Sequence, residues 1–215
     1  KNLDLIKNIC RINYFEKKLY FYKIKSQSIG KHDCWVNYTG LTSKRPKMII
    51  DHLIDKDVLK ENMNVLDIGC GLAEIGVEIK RRVNNVCYNG LDINKNLLSI
   101  NRLNFEDSDN YKFTEFDLTN TESYSSINQS YDIVTACGAA TQFYKIFDYI
   151  SNKIKPKYIV CETHIGRRKD LKNIIAKCAN YKIKDSLEFQ YKSKNGPQDT
   201  NWTGYKRKLF ILELK

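Results

Sequence analysis

No stretch of this chain approaches the roughly 18 consecutive apolar residues that a membrane-spanning helix needs. Nor does a charged start followed by an apolar core mark a secretory signal at its beginning. These absences argue against a membrane partner and set cytoplasmic residence as the expectation. Cysteine is not scarce, with thiols at 10, 34, 70, 87, 137, 161 and 178, but no CxxC pair and no matched histidine spacing occurs. A zinc site is therefore not expected, and several of the thiols lie inside apolar runs, where free cysteine behaves as a small hydrophobe of a reducing compartment. Internal repeats and low-complexity segments are missing too.

What is present suits a globular chain. Its 215 residues are 42% hydrophobic, enough for one domain of ordinary size or one domain with an appendage. The formal net charge of +11 would attract phosphate, and nucleic acid is a conceivable partner on that ground. The lysines, however, are spread along the chain among many Asn and Ile residues. The one dense cluster, Arg167, Arg168 and Lys169, reads as a solvated turn or helix start.

Periodicity predicts alternating strands and helices after a first region over 1–41. A helix over about 44–56, capped by Thr42 or Ser43, carries Met48, Ile49, Leu53 and Ile54 on an apolar face. Strands are predicted near 64–68, 86–92, 111–117, 132–138 and 157–163, with helices near 73–83 and 94–104 between the first three. After the fourth, Phe143, Ile146, Phe147 and Ile150 hold helical spacing, and after the fifth Leu171, Ile174, Ile175 and Cys178 repeat it. Residues 181–192 and 205–214 read as two strands joined by the polar loop SKNGPQDTNWTG. The expected fold is a doubly wound, seven-stranded α/β sheet, mostly parallel with an antiparallel last strand, with helices on both faces. Such sheets bind ligands at the carboxyl ends of their strands.

The segment VLDIGCGLAEIG (65–76) joins a short apolar strand to glycines that open a helix. Gly69 and Gly71 permit a sharp turn and close backbone approach to a ligand. Asp92 closes the second strand, 21 residues beyond Gly71, the separation from which a carboxylate accepts hydrogen bonds from ribose hydroxyls. The order G-C-G-L-A is not GxGxxG, and Glu74 would repel a pyrophosphate at the helix start. A nucleoside without phosphates is the ligand this pattern favours.

VLDIGCGLA, followed by GLDI (90–93), Asp117 after strand three, YDIVTACG (131–138) and the closing strand pair, resembles the class I, Rossmann-like S-adenosylmethionine-dependent methyltransferases over roughly residues 42–215. The resemblance implies S-adenosylmethionine as cofactor and S-adenosylhomocysteine as product. It implies that Gly69, Cys70, Gly71 and Ala73 shape the loop around the methionine part, with Asp67 helping to place its amino group. It further implies that Asp92 and Ile93 meet the ribose side, that Asp117 and Leu118 flank the adenine, and that Ala136 and Cys137 border the cofactor from strand four. Ala73 stands where this family often has a third glycine.

The acceptor side is less specific. Strand four ends in A-C-G-A and carries neither the Asn/Asp-Pro-Pro-aromatic signature of amino-directed nucleic-acid members nor the Pro-Cys of cytosine C5 members. Strand five ends in CETHIG, which puts His164 at the carboxyl edge as a candidate proton acceptor, with Glu162 two residues before it pointing the same way. Leu5, Ile9, Ile12, Phe15, Leu19 and Tyr22 lie on one helical face and mark 1–41 as a cap. Trp35 and Tyr38 from that region and Trp202 from the last loop are candidate acceptor contacts. A small-molecule acceptor, most simply a hydroxyl of a metabolite or sugar-like compound, is the first reading. An RNA methyltransferase and a non-catalytic binding module of the same fold are the rivals.

Overall fold

The computed structural model describes residues 44–191 and 205–215. The cap region, with Trp35 and Tyr38, the capping residues Thr42 and Ser43, and Trp202 lie outside the described residues. The elements run α1 (Lys44–Asp55), β1 (Asn64–Ile68), α2 (Glu74–Arg82), β2 (Cys87–Asp92), α3 (Lys95–Asn104), β3 (Tyr111–Glu115), a 3-10 turn (Thr121–Ser126) and β4 (Ile133–Cys137). A second 3-10 turn (Gly138–Gln142), α4 (Ile146–Tyr149), a π turn (Ile150–Ile154), β5 (Tyr158–His164), α5 (Arg168–Lys177), β6 (Tyr181–Tyr191) and β7 (Tyr205–Leu214) complete the chain.

All seven strands form one sheet in the order β3-β2-β1-β4-β5-β7-β6. β1 to β5 are parallel, and β7 lies antiparallel to both β5 and β6. Strand order therefore reverses between β1 and β4, where a doubly wound sheet opens a crevice above its carboxyl ends.

Alternate residues of the buried strands feed two cores, because successive side chains leave a strand on opposite faces. Val65, Tyr88, Phe113, Ile133, Val160 and Leu209 pack under α1, α2 and α3. Leu66, Leu91, Val134, Ile159, Cys161 and Leu212 pack under α4 and α5. The apolar face of α1 differs in one member from the expectation: Ile49, Ile50 and Leu53 are buried, while Ile54 is exposed. The spacing of Ile146, Phe147 and Ile150 is honoured by complete burial, but only Ile146–Tyr149 is α-helix, and Phe143 precedes it at the end of a 3-10 turn. Helical spacing reports which side chains share a face, and a mixed 3-10, α and π segment satisfies it as well as one regular helix.

Candidate functional site

The loop from β1 to α2 bends by left-handed backbone at Gly69, Gly71 and Ala73. At Gly69 a Cβ would stand 2.9 Å from the Ala140 Cβ, so only glycine fits. Among the described residues a Cβ at Gly71 would meet nothing within 4 Å. Ala73 takes the same left-handed conformation with its methyl buried, at a cost of about 1–2 kcal/mol for a residue bearing Cβ. The hydrogen bond from Ala73 N–H to the Cys70 carbonyl closes the turn, and the Ala73 carbonyl in turn accepts from Val77 N–H. Cys70 sends its thiol inward under Gly90, and burial raises its pKa well above the ordinary value. Cys70 therefore offers the loop its backbone, not its sulfur.

Two side chains hold Gly71 in place. Asp92 Oδ2 accepts from the Gly71 N–H at 2.9 Å, while Oδ1 accepts from the Asn94 N–H. Asn101 of α3, completely buried, donates through Nδ2 to the Gly71 carbonyl at 2.8 Å. Sequence reasoning missed Asn101. Its signal was there: it stands four residues after Leu97 and three after Leu98, a polar residue on the apolar stripe of its helix. Beside Asp92, Ile93 is 61% exposed, a bare apolar face at the open edge. Asp117, after β3, accepts from the N–H and hydroxyl of Thr119, and these bonds hold its carboxyl below the ordinary range. Leu118 is half-buried, and its carbonyl accepts from the Tyr124 hydroxyl.

Asp67 is buried, and both of its oxygens are engaged: Tyr88 donates to Oδ2 and Thr135 to Oδ1. Burial lifts its pKa to about 6, against the two hydroxyl donors and the cation of Arg45. A contact of this carboxylate to an amino group thus competes with two bonds already made. At the end of β4, Ala136 is fully buried and Cys137 half-buried, with burial and the nearby Glu162 pushing the thiol pKa up.

Glu162 does not stand as a free proton acceptor. It is completely buried on β5 and shared by two arginines. Arg45 of α1 donates to Oε2 from Nε at 3.1 Å and Nη2 at 2.6 Å. Arg207 of β7 donates to Oε2 from Nη2 at 3.0 Å and to Oε1 from Nε. Burial alone would raise the Glu162 pKa, but the two guanidinium groups outweigh it and hold the carboxyl at about 2. At neutral pH such a carboxylate is ionised and holds the two cations in place. His164, at the end of the same strand, is half-buried, and its Nδ1 accepts from the Gly166 N–H at 3.1 Å. In the neutral ring that bond assigns the hydrogen to Nε2. The structure thus brings together Gly69, Gly71, Ala73, Asp92, Ile93 and Asn101 around one opening, with Glu162 and its arginines at the neighbouring strand ends.

A separate open depression of about 440 Å³ lies between the 3-10 turn 121–126, α4 and the end of α5, lined by Tyr124, Lys145, Tyr149, Lys153 and Lys177 among others. It shares no residue with this opening. No described helix is long and apolar enough to cross a membrane.

The family model described as "Methyltransferase domain" matches residues 59–207, more than half of the chain. The chain belongs to that family. S-adenosylmethionine is the methyl donor such enzymes use, and the fold is that of the class I members. Among solved structures, the methyltransferase chain is similar to magnesium protoporphyrin IX methyltransferase from Synechocystis, at 11% identity, TM-score 0.59, 100% of this chain and 92% of that one. It is similar to geranyl diphosphate C-methyltransferase from Streptomyces coelicolor at 10% identity, TM-score 0.61, 81% of this chain and 80% of the other. The cyclase SpnF is alike at 11% identity and TM-score 0.59, covering 78% and 81%. A likeness that includes a cyclase carries the fold alone, and the family match carries the chemistry. No protein of curated function matches the sequence.

The residues fit the cofactor. Gly71 faces a space that a Cβ would begin to fill, Asp92 keeps lone pairs beyond its two backbone bonds, and Ile93 offers an uncovered apolar face.

Proposed function

We propose that this methyltransferase transfers a methyl group to a small-molecule acceptor held at the carboxyl ends of β4 and β5, beside Gly138. S-adenosylmethionine, when bound, supplies a methyl group on sulfonium, and methyl transfer then requires an in-line nucleophile with water excluded. The chain's own part is positioning. Asp92 accepts from ribose hydroxyls through its remaining lone pairs, Ile93 covers an apolar face of the nucleoside, and Gly69 and Gly71 admit the methionine part without a side chain in the way. Asp117 and Leu118, at the end of β3, border the adenine.

The observation that carries the acceptor reading is the state of strand five. Glu162 is committed to Arg45 and Arg207, and His164 Nδ1 to Gly166, so neither stands ready to remove a hydroxyl proton. This arrangement favours a nucleophile that is already neutral and unprotonated, such as an amine, over the hydroxyl expected from sequence. A hydroxyl acceptor remains the second reading, with His164 taking the proton once its bond to Gly166 opens. Two of the similar structures, a magnesium protoporphyrin IX methyltransferase and a geranyl diphosphate C-methyltransferase, support a small acceptor in this fold. An RNA acceptor draws support from net charge alone.

The experiment is direct. Calorimetric titration with S-adenosylhomocysteine, followed by a turnover screen of amines, alcohols and short RNA with labelled S-adenosylmethionine, should give binding and transfer to a small amine. Binding with transfer only to RNA, suppressed steeply by salt, would replace the small-molecule reading.

A further inference from the structure

On the side of the sheet covered by α1, α2 and α3, lysines are matched by acids. Lys47 pairs with Asp51, Lys80 with Asp107 and Lys95 with Glu115. The open depression of about 440 Å³ between the 3-10 turn 121–126, α4 and the end of α5 is different. Lys145, Lys153 and Lys177 line it, all three exposed, and none of them makes an ion pair among the described residues. Asp148 is the one carboxylate lining it among the described residues. Nor does the rest of the chain offer a counter-charge: segments 1–43 and 192–204 together carry more than twice as many Lys and Arg as Asp and Glu. Three cations around one depression repel one another, and a multiply charged anion relieves that repulsion.

The depression is more than a patch of charge. Tyr124 and Tyr149 line it with rings in contact, centroids 6.1 Å apart and planes tilted by 56°. Their hydroxyls donate to the carbonyls of Leu118 at 2.8 Å and Ile127 at 3.4 Å, so the phenol oxygens are spent and the rings serve as an apolar wall. Asp148 Oδ1 accepts from Asn152 Nδ2 at 3.4 Å, which leaves the carboxylate with lone pairs for an N–H or O–H of a ligand. Lysine is a point charge suited to phosphate, a ring wall suits a flat heterocycle, and a carboxylate suits an amino group or a hydroxyl. One small molecule that asks for all three is a nucleotide. The volume falls within the roughly 300–1,000 Å³ of small-ligand sites.

We infer that this depression is a second ligand site, for a free nucleotide carrying two or more phosphates. Lys145, Lys153 and Lys177 hold the phosphates, the tyrosine rings wall the base, and Asp148 accepts from the base or the ribose. The site shares no residue with the cofactor opening and does not rest on the acceptor reading. A single strand of RNA would call for a row of separate aromatic platforms along a cationic groove. Two rings in contact make one wall, which favours one nucleotide over a strand.

The test uses the whole chain saturated with S-adenosylhomocysteine, so that adenine nucleotides are kept from the cofactor opening. Calorimetry at constant ionic strength follows titration with each of the four ribonucleoside diphosphates, the matching nucleosides, inorganic pyrophosphate, a short RNA and oligoglutamate. At least one diphosphate should bind saturably, and at least tenfold more tightly than its nucleoside and than pyrophosphate. Lys153→Gln combined with Lys177→Gln should weaken that binding at least tenfold, while S-adenosylhomocysteine affinity stays within about twofold. Both lysines are exposed and unpaired among the described residues, so the variant keeps its fold. The inference is overturned if no diphosphate saturates, if pyrophosphate or oligoglutamate binds as tightly as the best diphosphate, or if the lysine variant binds it unchanged. Tighter binding of RNA than of every diphosphate, lost in the same variant, would make the depression a docking surface for RNA instead. If S-adenosylhomocysteine fails to bind, the donor assignment falls and the lysine variant still decides this site.

Discussion

The N–H of Gly71 donates to Oδ2 of Asp92 at 2.9 Å, so the loop after β1 and the end of β2 are fastened to each other before any ligand arrives. Removing the carboxylate therefore loosens the loop and deletes the acceptors for ribose. Charge-assisted bonds of this kind contribute roughly 1.5–3 kcal/mol. Asp92→Ala should weaken S-adenosylhomocysteine by about ten- to a hundredfold, read by calorimetry on a protein whose circular dichroism is unchanged. Equal affinity in the folded variant would remove Asp92 from the site.

Asn101 holds the other side of the same peptide through the Gly71 carbonyl, and its own Oδ1 is buried without a partner among the described residues. Leucine at this position loses one hydrogen bond and at the same time relieves one unsatisfied acceptor, so the two effects on folding oppose each other. Asn101→Leu should change unfolding free energy little, within about 1 kcal/mol. Cofactor affinity should nevertheless fall several-fold, because the loop loses its register. A purely structural residue would show the reverse, lower stability with unaltered affinity in the fraction that remains folded.

How much of this was legible in the sequence depends on the range of the interaction. The strands, the glycine turn and Asp92 were readable because each depends on residues within a few positions or at a fixed offset across one β-α-β unit. Ile93, Asp117 and Leu118 were named from resemblance alone. The commitment of Glu162 was not readable: its partners lie 117 residues before it and 45 after it, on elements whose register no local pattern encodes. The hydrogen bond at His164 was unreadable for a different reason. A two-residue contact to the Gly166 N–H depends on backbone torsion, which residue type does not specify. Ala73, where the family often has glycine, shows that composition alone misjudges backbone conformation as well, since it adopts the left-handed turn all the same.

The two buried carboxylates give stability opposite dependences on pH. Asp67, lifted by burial from 3.8 to about 6, binds a proton more readily folded than unfolded, so its contribution falls as pH rises through that window. Glu162, held by Arg45 and Arg207 at about 2 against 4.5, stabilises the fold above the unfolded value and loses that effect as pH falls toward 2. Each swing is on the order of 3 kcal/mol. Urea unfolding of the parent and Asp67→Asn from pH 4 to 7 should show the variant gaining relative stability across the interval. Parallel curves would mean that Asp67 ionises as an ordinary carboxyl.

His164 separates the two acceptor readings, because its Nδ1 is already bonded to the Gly166 N–H and its remaining hydrogen sits on Nε2. A ring in that state cannot take a proton from an acceptor at Nε2, and Nδ1 becomes available only when the turn opens. His164→Ala should therefore lower turnover by less than about tenfold, far short of the 10²–10⁴ that loss of a general base produces. Cofactor affinity should stay as it was, since the residue stands at the end of β5 and makes none of the Gly71 contacts. The pH dependence of the rate supplies an independent reading. With an amine acceptor the rising limb follows the acceptor's own pKa and is the same in parent and variant, moving only when the amine is exchanged for one of different basicity. With a hydroxyl acceptor a limb near the ordinary histidine value of about 6.5 appears in the parent and disappears in the variant, together with the large loss of rate. That second pattern would return the reaction to oxygen and give His164 the proton.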